Sequence, residues 1–167
     1  LDAMRGVPQP PEYHPEGDVW EHTLCCLDRL RMPSPALAWA ALLHDAGKPP
    51  MLEFDDRRVP RFPRHAKRSA EDCERILRRL RSSGALRKAA QAGALHHMTF
   101  RDVQAMRPAK LRRFMARDTF DLELELHRID CLASHRNTDN YVFLLDKRAE
   151  LAGEPILPDP LLRGEDV

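Results

Sequence analysis

The stretch Pro35-Ala-Leu-Ala-Trp-Ala-Ala-Leu-Leu-His44-Asp45 constrains the fold more than any other part of the chain. Ser34 followed by Pro35 is a helix start signal: the serine oxygen accepts from a free first-turn amide, and proline at the first helical position gives up an N–H that has no partner anyway. Gly47 supplies the stop, so these signals predict a helix over residues 35–45. Apolar nearly all round, such a helix has no face fit for water and belongs in the interior. Its apolar run is about half of the roughly 20 residues that a membrane span needs, so the cover must be protein. A buried apolar helix that finishes in two polar groups also requires something to satisfy them. A metal ion would do so, with a neutral imidazole supplying nitrogen and a carboxylate supplying oxygens, one of which can bridge to a second ion.

The remaining signals are helical too. Asp18, three residues ahead of Glu21, starts a helix over about 19–31. Ile76, Leu77 and Leu80 form the apolar stripe of a helix over 69–81 that Gly84 stops, and another follows over 85–97. A short helix from about Pro108 carries Leu111, Phe114 and Met115 on one side. Asp118 is placed to cap a longer one reaching about Ser134, with Leu122, Leu126, Ile129 and Ala133 at helical spacing, and the last runs over 141–151. Only 7 Gly, 6% aromatic residues and no useful alternating pattern argue against sandwiches and barrels, so the predicted class is an all-α bundle of six or seven helices. At 167 residues and 43% hydrophobic content the chain suits one domain, expected over 18–152. Residues 1–17, rich in proline, read as a linker or domain boundary, and residues 153–167 as a proline-rich tail. Residues 48–64, with four prolines, read as a long irregular loop and the natural lid.

Charge narrows the ligand question. With 27 Lys and Arg against 26 Asp and Glu, the formal charge of +1 argues against a globally basic nucleic-acid binder, so a charged ligand must be caught locally. The four cysteines match neither a zinc-knuckle spacing nor a disulfide framework, which predicts a reducing, cytoplasmic setting with buried thiols acting as small hydrophobes. The eight histidines are what remains. His44 and Asp45 cannot complete a coordination sphere alone. His22 on the first helix and Asp130 at the margin of the sixth helix's apolar face are the candidates to join them.

The order His22, His44-Asp45-Ala46-Gly47-Lys48, Asp130 resembles the metal signature of the HD-domain phosphohydrolase superfamily. In detail, Tyr13-His-Pro-Glu-Gly-Asp-Val-Trp-Glu-His-Thr23, Ala41-Leu-Leu-His-Asp-Ala-Gly-Lys-Pro49 and Leu126-His-Arg-Ile-Asp-Cys-Leu-Ala-Ser-His135 resemble the HD domain of bacterial CCA-adding enzymes and poly(A) polymerases. The resemblance implies an all-α bundle and divalent-metal-dependent hydrolysis of phosphate esters by metal-activated water. It also implies that His22, His44, Asp45 and Asp130 hold one ion. Members with two ions add two histidines, whose matching positions here are His65 and His97, the latter preferred to His96. Lys67-Arg68, after His65 and Ala66, departs from the acidic or neutral residues usual there.

Asp45 and Lys48 are the expected catalytic residues, the lysine acting as a point cation toward phosphate. The nitrogen and oxygen donors suit Mn, Fe, Ni, Co or Mg. Expected substrates are nucleotides, 2′,3′-cyclic nucleotides or RNA 3′ ends, with tRNA a possible partner. The arginines from Arg75 to Arg81 and Arg112-Arg113 are available to hold a nucleotide or RNA, although such runs are more often a solvated helix face. His14, His127 and His135 read as structural or surface residues, and Asp55-Asp56 as turn residues rather than a nucleotidyltransferase metal pair. Two competing classes are a non-catalytic, metal-braced tRNA-binding or interaction domain and an HD-type di-iron oxygenase.

Overall fold

A computed structural model describes residues 1–152, so the proline-rich tail lies outside the described residues. Among them are seven α-helices: α1 (Val19–Asp28), α2 (Pro35–Leu43), α3 (His65–Arg79), α4 (Gly84–His96), α5 (Pro108–Met115), α6 (Phe120–Ala133) and α7 (Asp139–Glu150). Three 3-10 segments (Asp2–Met4, Pro49–Met51, His97–Ala105) and one antiparallel hairpin, β1 (Glu53–Phe54) with β2 (Pro60–Arg61), connect or precede them. The class is all-α. No helix among the described residues is long and apolar enough to cross a membrane.

Two of the expected caps hold: the side chains of Asp18 and Ser34 accept from the amides of Glu21 and Leu37 at 2.9 and 3.2 Å, each contributing about 1 kcal/mol. Gly84, expected to stop a helix, instead opens α4, which Ser83 caps by accepting from Leu86 N at 3.2 Å. Other boundaries differ from expectation. α3 begins at His65 rather than Ser69, because Arg64, at φ 59°, turns the chain into the helix without any side-chain cap. α6 starts after Thr119, not on an Asp118 cap. α4 does not simply end near His97; the chain tightens there into the 3-10 segment.

α2 sits at the centre. Its Leu37, Ala40, Ala41 and Leu43 share a buried cluster with Cys73 and Leu77 of α3, Ala90 of α4, and Leu126 and Ile129 of α6. Small residues let the helices close: a Cβ added at Gly93 of α4 would lie 2.9 Å from Ala40 Cβ and 3.0 Å from Leu122 Cδ2. A second cluster, Phe100, Val103, Leu111, Phe114, Met115, Phe120, Leu124 and Leu144, joins the His97–Ala105 segment to α5, α6 and α7.

Residues 1–17 differ from a free linker. Met4 and Val7 are buried against Val19, and Asp18 ties the segment down by accepting from Gly6 N at 2.6 Å. The expected irregular loop contains the hairpin, which is too short for alternation to reveal it. Asp55 is its turn residue, accepting from the amides of Arg57 and Val59 at 3.0 and 2.9 Å.

Candidate metal centre

The packing of α1, α2, α4 and α6 brings distant histidines and aspartates to one place. His22 lies within α1, His44 caps the end of α2 with Asp45 next to it, His65 opens α3, His97 follows α4, and Asp130 lies in α6. Their donor atoms form two adjoining groups, one of His22, His44 and Asp130 with Cys26, the other of Asp45, His65 and His97. All except Asp130 are buried, and its side chain is 20% exposed.

Each ring is held from behind. The Nδ1 atoms of His44, His65 and His97 lie 2.8 Å from the carbonyl oxygens of Ala41, Phe62 and Ala94, and that of His22 lies 2.5 Å from Glu16 Oε1. An acceptor behind Nδ1 puts the proton there and leaves the Nε2 lone pair facing inward, which is the usual second support of a metal-binding histidine. Those inward nitrogens face each other at 3.3 Å for His22 and His44 and 3.1 Å for His65 and His97. Lone pairs at such separations repel unless a cation or a proton lies between them.

Asp45 sits across the two groups. Its Oδ2 lies 3.4 Å from His44 Nε2 and 3.8 Å from His22 Nε2, while Oδ1 lies 3.5 and 3.6 Å from the Nε2 atoms of His65 and His97. Oδ1 is buried without a hydrogen-bond partner, an omission that normally costs about 1–3 kcal/mol. Lys48 Nζ approaches Oδ2 at 2.7 Å and donates to Gln9 Oε1 at 2.6 Å. Burial opposes the Asp45 charge, yet Lys48 and His44 hold it well below the usual carboxylate range. Burial likewise opposes charge on Asp130, and His22, 3.0 Å away, keeps that carboxyl far down.

The imidazoles diverge. Burial pulls His22 down, but Cys26, Asp130 and Glu16 outweigh it and hold the ring well above the ordinary histidine value. His65 is pushed down to about 4 by burial, with His97 and Lys48 adding to the effect and Asp45 opposing it. The first group is therefore a pocket that already stabilises positive charge. The inward lone pairs, the orphaned Asp45 oxygen and this nitrogen and oxygen donor set together fit a divalent ion.

A cleft of about 810 Å³ opens beside the second group, lined in part by Lys48, His65, His97, Asp130, Arg61 and Arg101. His14, His127 and His135, read from the sequence as structural or surface residues, line it too. His127 also stacks on Phe100 at 4.7 Å, and burial lowers its pKa to about 4. The expected arginine run is elsewhere: Arg75 and Arg78 pair with Asp72 and Glu74 on α3, and neither they nor Arg112 and Arg113 line this cleft. His97 enters the second group and His96 does not. Sequence reasoning missed Glu16 and Gln9, both inside the supposed linker, and Cys26. Cys26 stands four residues after His22, so helical spacing alone places it on the same face.

Comparisons with known proteins agree with this architecture. The HD domain family profile matches residues 18–134. The Multifunctional CCA protein of Halorhodospira halophila is 35% identical over 143 residues, covering 81% of this chain and 33% of that protein. The Multifunctional CCA protein of Alkalilimnicola ehrlichii is 38% identical over 115 residues, covering 67% of this chain and 26% of that protein. The chain thus spans about a quarter to a third of these relatives' length. No solved structure gives a significant match.

Proposed function

The chain belongs to the HD domain family, and from that premise we propose that it is a divalent-metal-dependent phosphohydrolase acting on nucleotides, 2′,3′-cyclic nucleotides or RNA ends. The observation that carries this reading is the inward convergence of four imidazole Nε2 atoms, each ring fixed through Nδ1. His22, His44, Asp45 and Asp130 are the ligand set for one ion, and Asp45, His65 and His97 for a second. When bound, divalent ions such as Mn, Fe, Ni, Co or Mg supply a water of lowered pKa and positive charge opposite the phosphate.

The chain's own groups do the rest. Glu16 holds the His22 ring in its inward orientation from 2.5 Å behind it. Gln9 and Asp45 fix the Lys48 ammonium at the cleft wall, where a phosphate oxygen is within the reach of its charge. Arg61 and Arg101 also line the cleft and add positive charge to it, Arg61 with its Nε and Nη2 already donating to Asp55 Oδ2 at 3.2 and 2.9 Å. This local concentration suits a near-neutral protein that must nevertheless bind an anion.

A screen of the purified chain against chromogenic phosphodiesters and phosphomonoesters with Mn, Ni, Co and Mg, alongside metal analysis, tests the proposal. Turnover should require added or retained metal. Asp45→Ala should lose metal and at least about 100-fold in turnover, since losing even an outer partner of a ligand typically costs 10–100-fold. Full metal content and full turnover in Asp45→Ala would overturn it. Salt-sensitive tRNA binding without turnover would instead support a non-catalytic, metal-braced domain.

A further inference from the structure

We infer that Cys26 supplies a thiolate, beside His22, His44 and Asp130, to the first ion, giving that end of the centre a sulfur donor that the His65 and His97 end lacks. The inference rests on the proposed function's reading of these residues as ligands. Cys26 lies one helical turn after His22 on α1 and is fully buried. Its Sγ is 3.5 Å from His22 Nε2, which in turn is 3.3 Å from His44 Nε2 and 3.0 Å from Asp130 Oδ1. Tetrahedral ligation with metal–sulfur near 2.3 Å and metal–nitrogen near 2.0–2.1 Å separates donor atoms by roughly 3.6 Å for S and N and roughly 3.3 Å for two N. The sulfur and nitrogen separations here match those values.

Exposure separates the two ends further. His65, His97 and Asp130 line the cleft, whereas His22, Cys26, His44 and Asp45 are absent from its walls. One donor of the first group, Asp130, reaches the cleft, against two of the three in the second, His65 and His97. The sulfur end selects a thiophilic ion such as zinc or cobalt, and the cleft-facing end, with only nitrogen and oxygen donors, accepts manganese or magnesium. On ligation the Cys26 S–H bond breaks, its proton passes to solvent and the sulfur–metal bond forms in its place, with no change of oxidation state.

X-ray absorption on the full chain loaded with one equivalent of zinc reads the ligand shell directly. A single sulfur neighbour at about 2.3 Å is expected. With cobalt, the first equivalent should raise a near-ultraviolet sulfur-to-metal charge-transfer band that Cys26→Val and Cys26→Ser abolish and Cys131→Ala preserves. Both Cys26 variants should bind that first ion at least about tenfold more weakly, with the fold checked by circular dichroism. A bound ion with only nitrogen and oxygen neighbours overturns the inference and leaves the proposed function standing. A chain that binds no ion overturns both.

Discussion

The two ends of the centre are built from different kinds of backbone. The His22 end takes its side chains from within α1, from the end of α2 and from within α6, helices that are packed against one another through the main core. The His65 end takes them from the first residue of α3 and the first residue after α4. Positions within packed helices are held by several turns of neighbouring structure. Positions at chain reversals depend on a few local contacts. One carboxylate, that of Asp45, lies against both, so a half built from within packed helices and a half built at helix ends meet in a single side chain.

Ligand deletions bear hardest on this comparison. His65→Ala should retain about one tightly held ion per chain while losing at least about 100-fold in turnover, and His22→Ala should lose the tight ion itself. Metal analysis and kinetics on both variants decide the matter, and a His65→Ala chain that lost all its metal would erase the distinction.

Gly47 supplies a subtler probe. A Cβ there would lie 2.5 Å from Ser69 N and 2.6 Å from His65 O, both backbone atoms of α3's opening turn. Gly47→Ala must therefore push that turn away, at a cost of about 2–3 kcal/mol in denaturant unfolding. It should weaken metal binding at the His65 end before the His22 end. An unchanged unfolding midpoint would show that the two ends do not differ in tolerance.

The smallest effect concerns acid. His127, on the cleft wall and 7% exposed, has a folded pKa of about 4 against an ordinary 6.5. The unfolded chain takes up this proton first, so stability is intact above 6.5 and declines as pH falls from there toward 4. The metal-free chain should lose about 2 kcal/mol between pH 7.5 and 5 from this group. His127→Gln should shrink that loss, and an equal loss in the variant would place the acid sensitivity elsewhere.

How far these features could be read in advance depended on how local their causes were. Caps at Asp18 and Ser34 announce themselves within three residues, and the helices begin there. Arg64 carries no such signal, because nothing in an arginine announces a positive φ, and α3 begins four residues before the expected Ser69. At the centre, His22, His44, Asp45, His65, His97 and Asp130 were picked out by their order along the chain, and the fold brings them into the two adjoining groups. Gln9 and Glu16 escaped notice because proline-rich sequence reads as connection, whereas here it is anchored by Met4 and Val7. Cys26 was judged by residue type, and its neighbour one turn away was overlooked.

The location of Asp45 and His44 at the end of the all-apolar α2 has a kinetic consequence. Helix α2 is packed on four other helices, so His22 and His44 are covered by the main core and their group meets the cleft through Asp130, whose side chain is 20% exposed. An ion at that end would have to leave past Asp130, so a chelator added to the folded protein should remove it more slowly than an ion held by His65 and His97, both of which line the cleft.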